Sequence, residues 1–253
     1  MSSAREIMQA AEVGKTAIEV FESQVEQVRA GGSGLIHEAD ITPYESPDLP
    51  PGAPTDADRE ALDETAVIRL NGGLGTSMGM DRAKSLLPVR GELSFLDIMV
   101  RQILHLRRTT GARLPLTFLH SFRTSDDSLA ALEATPEIVS PDVPIELYQN
   151  KVPKLLTESL EPAVWDADPE LAWCPPGHGD IYAVMHDAGF LDLLQRHGYR
   201  RVMIANSDNL GAVPDAKMAG WFAGTGAPFA LEAVRRNKSD RKGGHFANRN
   251  ADG

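Results

Sequence analysis

The chain has 253 residues, of which 42% are hydrophobic, and it carries a formal net charge of −11 at pH 7. This composition favours a folded globular protein over wholesale disorder, and the acidic balance argues against a protein that binds the backbone of a nucleic acid. Cys174 is the single cysteine, which excludes an intrachain disulfide and fits the reducing cytoplasm. The sequence shows neither an apolar run near the ~18 residues of a membrane span nor a secretory signal pattern.

Residues 1–60 are predicted to form an N-terminal helix followed by a connector. Apolar side chains recur at helical spacing over residues 3–30, and Gly31 and Gly32 end the pattern. The proline-rich stretch 40–57 has few large apolar residues, so it predicts irregular structure. We expect the helix to pack on the outside of the main domain, and a docking or regulatory role is the alternative.

Residues 61–253 are predicted to form the main domain, because strand-like and helix-like segments alternate there. The predicted strands cover residues 66–70, 115–120, 145–149, 200–206 and 228–234. The predicted helices cover residues 95–109, 125–133, 179–196 and 215–223. This alternation predicts a Rossmann-like, three-layer α/β domain with helices on both faces of a mostly parallel sheet. In such sheets a ligand binds beyond the carboxyl ends of the strands.

The first predicted strand leads into a glycine-rich stretch, NGGLGTSMG, at residues 71–79. Glycines let backbone N–H groups approach an anion closely, and Lys84 adds a charge that can neutralise phosphate. Together these features predict a site for a nucleoside triphosphate. The Walker loop does not match because Lys84 comes too late, and Met78 replaces the third glycine of the dinucleotide fingerprint. An ordinary flexible loop is the alternative.

A second stretch, WCPPGHGDIY, covers residues 173–182. Its prolines and glycines fix the backbone around His178 just before a predicted helix, and the N-terminus of a helix favours anions. His178 is therefore placed to donate a hydrogen bond to a ligand hydroxyl or phosphate. A structural turn with a solvated histidine is the alternative.

Two further predicted strands end in polar side chains. Asn206 and Asp208 end one of them, and they would share a face if the strand continued. A carboxylate at a strand end can hold Mg²⁺ together with substrate phosphates and waters, although a simple turn is the alternative. Gln149 ends another predicted strand, and its amide offers both a donor and an acceptor to the edge of a uracil base.

Three motifs, in this order along the chain, resemble the signature segments of the UTP–glucose-1-phosphate uridylyltransferases, also called UDP-glucose pyrophosphorylases. They are NGGLGTSMGMDRAKS at 71–85, W-x-PPGHGD at 173–180 and N-x-D-N-L-G at 206–211. The resemblance implies a nucleotidyltransferase domain with a glycosyltransferase-A-like fold. It also implies a reaction in which MgUTP and glucose 1-phosphate give UDP-glucose and pyrophosphate. Two departures are His120, where the family usually has asparagine, and Arg82-Ala83, where Gly-Pro is frequent.

The resemblance implies a role for each candidate residue. Lys84 would be catalytic and would neutralise the triphosphate, and Asp208 would hold Mg²⁺. His178 and Asn206 would bind the sugar phosphate. The residues implied to bind the nucleotide, through backbone groups or as readers of uracil, are Leu70, Asn71, Gly72, Gly73, Lys84, Gln149 and Gly177.

Two alternatives to this activity stay open. The chain could bind UTP without turnover, because the resemblance places a second phosphate-binding lysine and a sugar-binding asparagine beyond residue 253. We therefore expect weak binding of MgUTP and little transfer by residues 1–253 alone, and further strands of the sheet beyond residue 253. The chain could also use another sugar, such as N-acetylglucosamine 1-phosphate, although relatives of that kind usually carry A-G-G-Q-G-T where this sequence has NGGLGT.

Overall fold

The computed structural model describes residues 3–45, 52–74, 82–235, 237–238, 244 and 246–250. Its helices are α1 (Ala4–Ala10), α2 (Lys15–Arg29), α3 (Asp56–Asp63), α4 (Phe95–Thr110), α5 (Ser125–Leu132), α6 (Asp180–Asp187), α7 (Phe190–Arg196) and α8 (Ala216–Thr225). Its strands are β1 (Ile41–Pro43), β2 (Thr65–Asn71), β3 (Pro88–Arg90), β4 (Leu93–Ser94), β5 (Leu116–His120), β6 (Glu146–Tyr148), β7 (Val152–Pro153), β8 (Trp173–Cys174), β9 (Arg201–Asn206) and β10 (Ala247–Arg249). Residues 75–81, which include the second half of the glycine-rich stretch, lie outside the described residues.

The central sheet of the described residues has the strand order β6-β5-β2-β9, and each neighbouring pair is parallel. Parallel strands need long crossover connections, and helices provide several of them here. The remaining described strands form short antiparallel pairs beside this sheet. The predicted α/β class with a mostly parallel sheet is confirmed.

Helices cover both faces of the sheet, because successive side chains of a strand point to opposite faces. On one face Val67 packs in a cluster with residues of α4 and α8. On the other face Ala66 and Ile68 pack in a cluster with residues of α6 and α7. The three-layer arrangement expected from the sequence therefore arises from a strand that is apolar on both sides.

Two predicted helices are interrupted. Residues 3–30 form α1 and α2 rather than one helix, because the backbone leaves the helical region at Glu12, where φ is +57°, and α2 begins after Gly14. The predicted helix 179–196 is divided into α6 and α7 by Gly189, whose φ is +65°. An apolar repeat can continue across such a break, so periodicity did not reveal either interruption.

The predicted strand at 228–234 is wrong, since this segment forms neither strand nor helix. Its side chains are largely exposed, with Val234 at 84% and Leu231 at 61%. A strand requires a hydrogen-bonding neighbour, and none of the described strands pairs with this segment. The predicted boundary after residue 60 falls inside α3, and the division into an N-terminal part and a main domain stays a prediction.

Within the described part of the chain, no helix is both long and apolar enough to pass through a lipid bilayer.

Candidate nucleotide and metal site

The carboxyl ends of the parallel strands bring most of the predicted site residues to one edge of the sheet. β2 ends next to Gly72, β6 ends next to Gln149, and β9 ends two residues before Asp208. The register places Asn71 opposite His120 and Leu70 opposite Asn206. This is the edge at which open parallel sheets bind their ligands.

Gln149 lies between the glycine-rich stretch and the turn that contains His178. Its Nε2 donates to the carbonyl of Gly177 at 3.1 Å. A Cβ atom on Gly72 would lie 2.5 Å from Gln149 Oε1, so a larger residue at position 72 would displace the Gln149 amide. Gly177 has a φ of +104°, which other residues rarely adopt. Three residues predicted to bind the nucleotide, Gly72, Gln149 and Gly177, therefore form one continuous patch.

Lys84 and Asp208 meet directly, although 124 positions separate them in the sequence. Lys84 Nζ forms a hydrogen-bonded salt bridge with Asp208 Oδ2, and the two side chains are 42% and 31% exposed. The backbone N–H of Lys84 donates to the carbonyl of Gly73 at 3.1 Å. The predicted phosphate-binding lysine and the predicted metal-binding carboxylate thus lie beside the Gly72–Gln149–Gly177 patch.

Backbone atoms of the glycine-rich stretch are fixed from several sides. The carbonyl of Leu70 accepts from Ser207 N–H at 3.1 Å, and that of Gly72 accepts from Ser121 Oγ at 3.0 Å. The side chain of Asn71 is buried and donates to Ser128 Oγ at 3.0 Å. Because this side chain is buried, a contact of Asn71 with a nucleotide would use backbone atoms, and that role stays a prediction.

His178 and Asn206 are both exposed. Among the described residues, no hydrogen bond joins either side chain to Gln149, Lys84 or Asp208. The condition under which Asn206 and Asp208 would share a face is not met, because β9 ends at Asn206. The chain then turns, and Asn209 N–H donates to the Asn206 carbonyl at 3.2 Å. The sugar-phosphate role of His178 and Asn206 stays a prediction.

The role of Arg69 could not be recognised from the sequence. Its side chain is buried on β2, and its guanidinium donates to the carbonyls of Asn206 at 3.4 Å, Asn209 at 3.3 Å and Ala212. Burial lowers the pKa of Arg69 to about 10, so it remains a cation at neutral pH. These bonds hold the loop that carries Asp208. A charged residue inside an otherwise apolar strand was the available signal.

His120 occupies a structural position beneath the site. The ring is buried and stacks on Phe118, and Nδ1 lies 2.7 Å from Glu146 Oε1. Burial lowers the pKa of His120, partly opposed by Glu146. The carbonyl of His120 accepts from Gln149 N–H at 2.7 Å, so its backbone helps to place Gln149.

No group of three or more histidine, cysteine or acidic side chains comes together as a metal site among the residues that the structure describes. Asp208 is thus a single candidate carboxylate for binding a metal, and it forms a salt bridge with the ammonium group of Lys84.

Comparison with protein families gives a match over residues 15–252 to the model described as UTP–glucose-1-phosphate uridylyltransferase. The chain is 35% identical over 206 residues to the protein of that name from Musa acuminata, in an alignment covering 81% of this chain and 43% of the relative. It is 38% identical over 185 residues to the protein of that name from Saccharomyces cerevisiae, covering 72% of this chain and 36% of the relative.

A solved structure of a UDP-glucose pyrophosphorylase variant from Leishmania major, in complex with UDP-glucose, matches the fold with a TM-score of 0.89. It is 38% identical, and the match covers 98% of this chain and 52% of that chain. A structure from Trypanosoma brucei matches with a TM-score of 0.87 at 40% identity, covering 96% of this chain and 53% of that chain. The chain spans about half the length, or less, of these relatives. It belongs to the UTP–glucose-1-phosphate uridylyltransferase family.

Proposed function

We propose that this chain forms the UTP-binding part of an enzyme that makes UDP-glucose and pyrophosphate from UTP and glucose 1-phosphate. The observation that carries the proposal is the contact of Gln149 with Gly72 and Gly177 beside the Lys84–Asp208 pair. An amide with a donor and an acceptor suits a base edge, and an ammonium group next to glycine backbone suits phosphate. The names of the relatives supply the reaction class.

In the proposed reaction, a phosphate oxygen of glucose 1-phosphate attacks the α-phosphorus of UTP, and pyrophosphate leaves. The attacking oxygen is already ionised at neutral pH, so the protein needs no strong general base. Its residues contribute by positioning the two substrates and by neutralising charge. Gln149 and Gly177 would hold uracil, Lys84 would approach the triphosphate, and His178 and Asn206 would hold the sugar phosphate.

Asp208 is suited to Mg²⁺, because this ion prefers oxygen ligands and is commonly held by one or two carboxylates together with substrate phosphates and water. When bound, Mg²⁺ would neutralise charge on the phosphates. Lys84 would then exchange its contact with Asp208 for contacts with phosphate oxygens. We also propose a cytoplasmic location, which the single cysteine supports.

Calorimetry with MgUTP and MgCTP, followed by a pyrophosphate-release assay with glucose 1-phosphate, tests the proposal. We expect binding of MgUTP in preference to MgCTP. Binding without pyrophosphate release would favour the alternative of a UTP-binding part that lacks turnover by itself. Release with N-acetylglucosamine 1-phosphate, and none with glucose 1-phosphate, would change the proposed sugar. Absence of any UTP binding would contradict the proposed function.

Gln149→Ala should weaken UTP binding far more than pyrophosphate binding. The substitution removes the amide at the base edge and leaves the Lys84–Asp208 pair intact. A site that hydrogen-bonds a base rejects a different base because polar groups are then left unpaired. Without the Gln149 amide this discrimination is lost, so the UTP-over-CTP preference should fall by roughly tenfold or more, the equivalent of one hydrogen bond. Parallel titrations with UTP, CTP and pyrophosphate measure this, and an unchanged preference would show that Gln149 only ends a strand.

Gly72→Ala should reduce UTP affinity, and Gly224→Ala on α8 provides the matched control. A Cβ at Gly72 would meet Gln149 Oε1 at 2.5 Å, whereas a Cβ at Gly224 would meet nothing within 4 Å. The methyl group at position 72 must displace the Gln149 amide, which is the flexible end of a side chain, so the fold should persist. We expect a loss of about tenfold in affinity for Gly72→Ala, corresponding to one lost hydrogen bond, and little change for Gly224→Ala. Equal effects of the two substitutions would contradict this interpretation.

A further inference from the structure

A buried carboxylate lies directly behind the Gly72–Gln149–Gly177 patch. Asp180 is the first residue of α6 and is 9% exposed. Its Oδ2 accepts from the backbone N–H of Asn150 at 2.8 Å, and its Oδ1 accepts from Asn150 Nδ2 at 2.9 Å. A buried carboxylate is costly unless donors satisfy it, and here a single residue supplies donors to both oxygens.

These bonds close a ring through the two residues proposed to recognise uracil. Asn150 follows Gln149 in the sequence, and Asp180 comes three residues after Gly177. The Gly177 carbonyl accepts from Gln149 Nε2 at 3.1 Å and from Asp180 N–H at 3.2 Å. The Asn150–Asp180 pair therefore fixes the separation of two segments that lie 28 positions apart.

The same pair reaches the N-terminal helices. Asn150 Oδ1 accepts from the N–H of Gly14, which precedes α2, at 3.4 Å. At the other end of α6, Asp187 accepts from the backbone N–H of Thr16 at 2.9 Å and from its hydroxyl at 2.5 Å. The start of α2 is thus held at both ends of α6, but only the Asn150–Asp180 end contacts the proposed uracil site.

We propose that Asn150 and Asp180 are positioning residues that set the spacing of Gln149 and Gly177 and so determine the preference for uracil. This inference rests on the proposed function of the site. A hydrogen-bonded base is discriminated from its analogues only when the groups facing it are held in place. The pair supplies that constraint from behind, without touching the ligand.

Exchange of the two side chains provides a sharp test. Asp180→Asn leaves one acceptor and turns an amide N–H₂ toward the amide of Asn150, so one bond of the pair is lost. Asn150→Asp brings two carboxylates together, and like charges repel. The double variant with both substitutions restores a donor opposite an acceptor and keeps acceptors for the N–H groups of Asn150 and Gly14.

The expected result is a fall in the UTP-over-CTP affinity ratio of about tenfold in each single variant, corresponding to one hydrogen bond. The double variant should recover most of that ratio. Asp187→Asn is the control, because it changes the same residue type on the same helix and also contacts α2. It should leave the ratio unchanged. Calorimetric titrations of the 253-residue protein with MgUTP and MgCTP supply the measurements.

If the pair contributed to stability alone, the single variants would lose affinity for UTP and CTP equally. They would also have a lower melting temperature and an unchanged UTP-over-CTP affinity ratio. That result, or a double variant no more selective than the single variants, would overturn the inference. If a single variant fails to fold, recovery of both folding and selectivity in the double variant supports the inference, whereas recovery of folding without selectivity overturns it. Failure of the unsubstituted protein to bind UTP would instead overturn the proposed function, and this inference with it.

Discussion

In a version of the protein extended to the length of its relatives, Lys84→Ala is expected to lower uridylyl transfer by about 10²–10³-fold, the usual effect of removing one charge-stabilising group from an active site. MgUTP affinity should fall by about 10–100-fold, because a hydrogen bond to a charged group is worth roughly 1.5–3 kcal/mol. The fold should persist. Lys84 and Asp208 are 42% and 31% exposed, and a partly exposed ion pair contributes only ~0–1 kcal/mol to stability.

Lys217→Ala is the control for this experiment. Lys217 also lies near an aspartate, with Nζ 3.8 Å from Asp58 Oδ2, but this pair joins α8 to α3. Removing its charge should leave MgUTP affinity unchanged. Calorimetry and thermal unfolding are measured on both variants of the 253-residue protein, and pyrophosphate release on both variants of the extended version. Transfer by extended Lys84→Ala close to that of the unsubstituted extended protein would remove Lys84 from the site.

The sequence predicted those parts of the site that short motifs carry at strand ends. Gly72, Gln149 and Asp208 each follow an apolar strand, and parallel pairing brings the carboxyl ends of such strands together. The direct contact of Lys84 with Asp208 could not be predicted, because it depends on how segments 124 positions apart fold together. The turn after Asn206 was only the alternative to a continuing strand, because local pattern at a strand end is compatible with both.

Apart from the strand at 228–234, predictions failed where a single backbone angle or a single buried charge decided the structure. The apolar periodicity continues past Glu12 and Gly189, but the positive φ of each of these residues interrupts the helix. The sequence of β2 places Arg69 between apolar neighbours, but local pattern contains no information about which carbonyls a buried guanidinium will meet. The hydrogen bonds between Asn150 and Asp180 could not be predicted for the same reason, since the two residues come from separate segments.

Arg69→Met is expected to reduce both the stability of the protein and its affinity for MgUTP. Methionine keeps an apolar stem on β2 but leaves the carbonyls of Asn206, Asn209 and Ala212 without the guanidinium donors. A buried group that loses its partner costs about 1–3 kcal/mol, so we expect a fall of about 3 kcal/mol in the free energy of unfolding, partly offset by relief of the desolvated charge. The loop carrying Asp208 should loosen, and MgUTP affinity should fall by more than about tenfold.

Arg107→Met separates the loop effect from the loss of stability. Arg107 is also partly buried, and it donates to the carbonyls of Leu114 at 3.0 Å and Glu137 at 3.1 Å. Leu114, however, precedes β5 and so lies near the amino-terminal ends of the strands, away from the proposed site. Its loss should lower stability through the same mechanism and leave MgUTP affinity of the folded protein unchanged. Urea unfolding and calorimetry at a temperature where both variants are folded supply the two quantities. If Arg69→Met lowers stability as Arg107→Met does but binds MgUTP normally, the arginine on β2 only supports the fold, and the loop that carries Asp208 is held by other contacts.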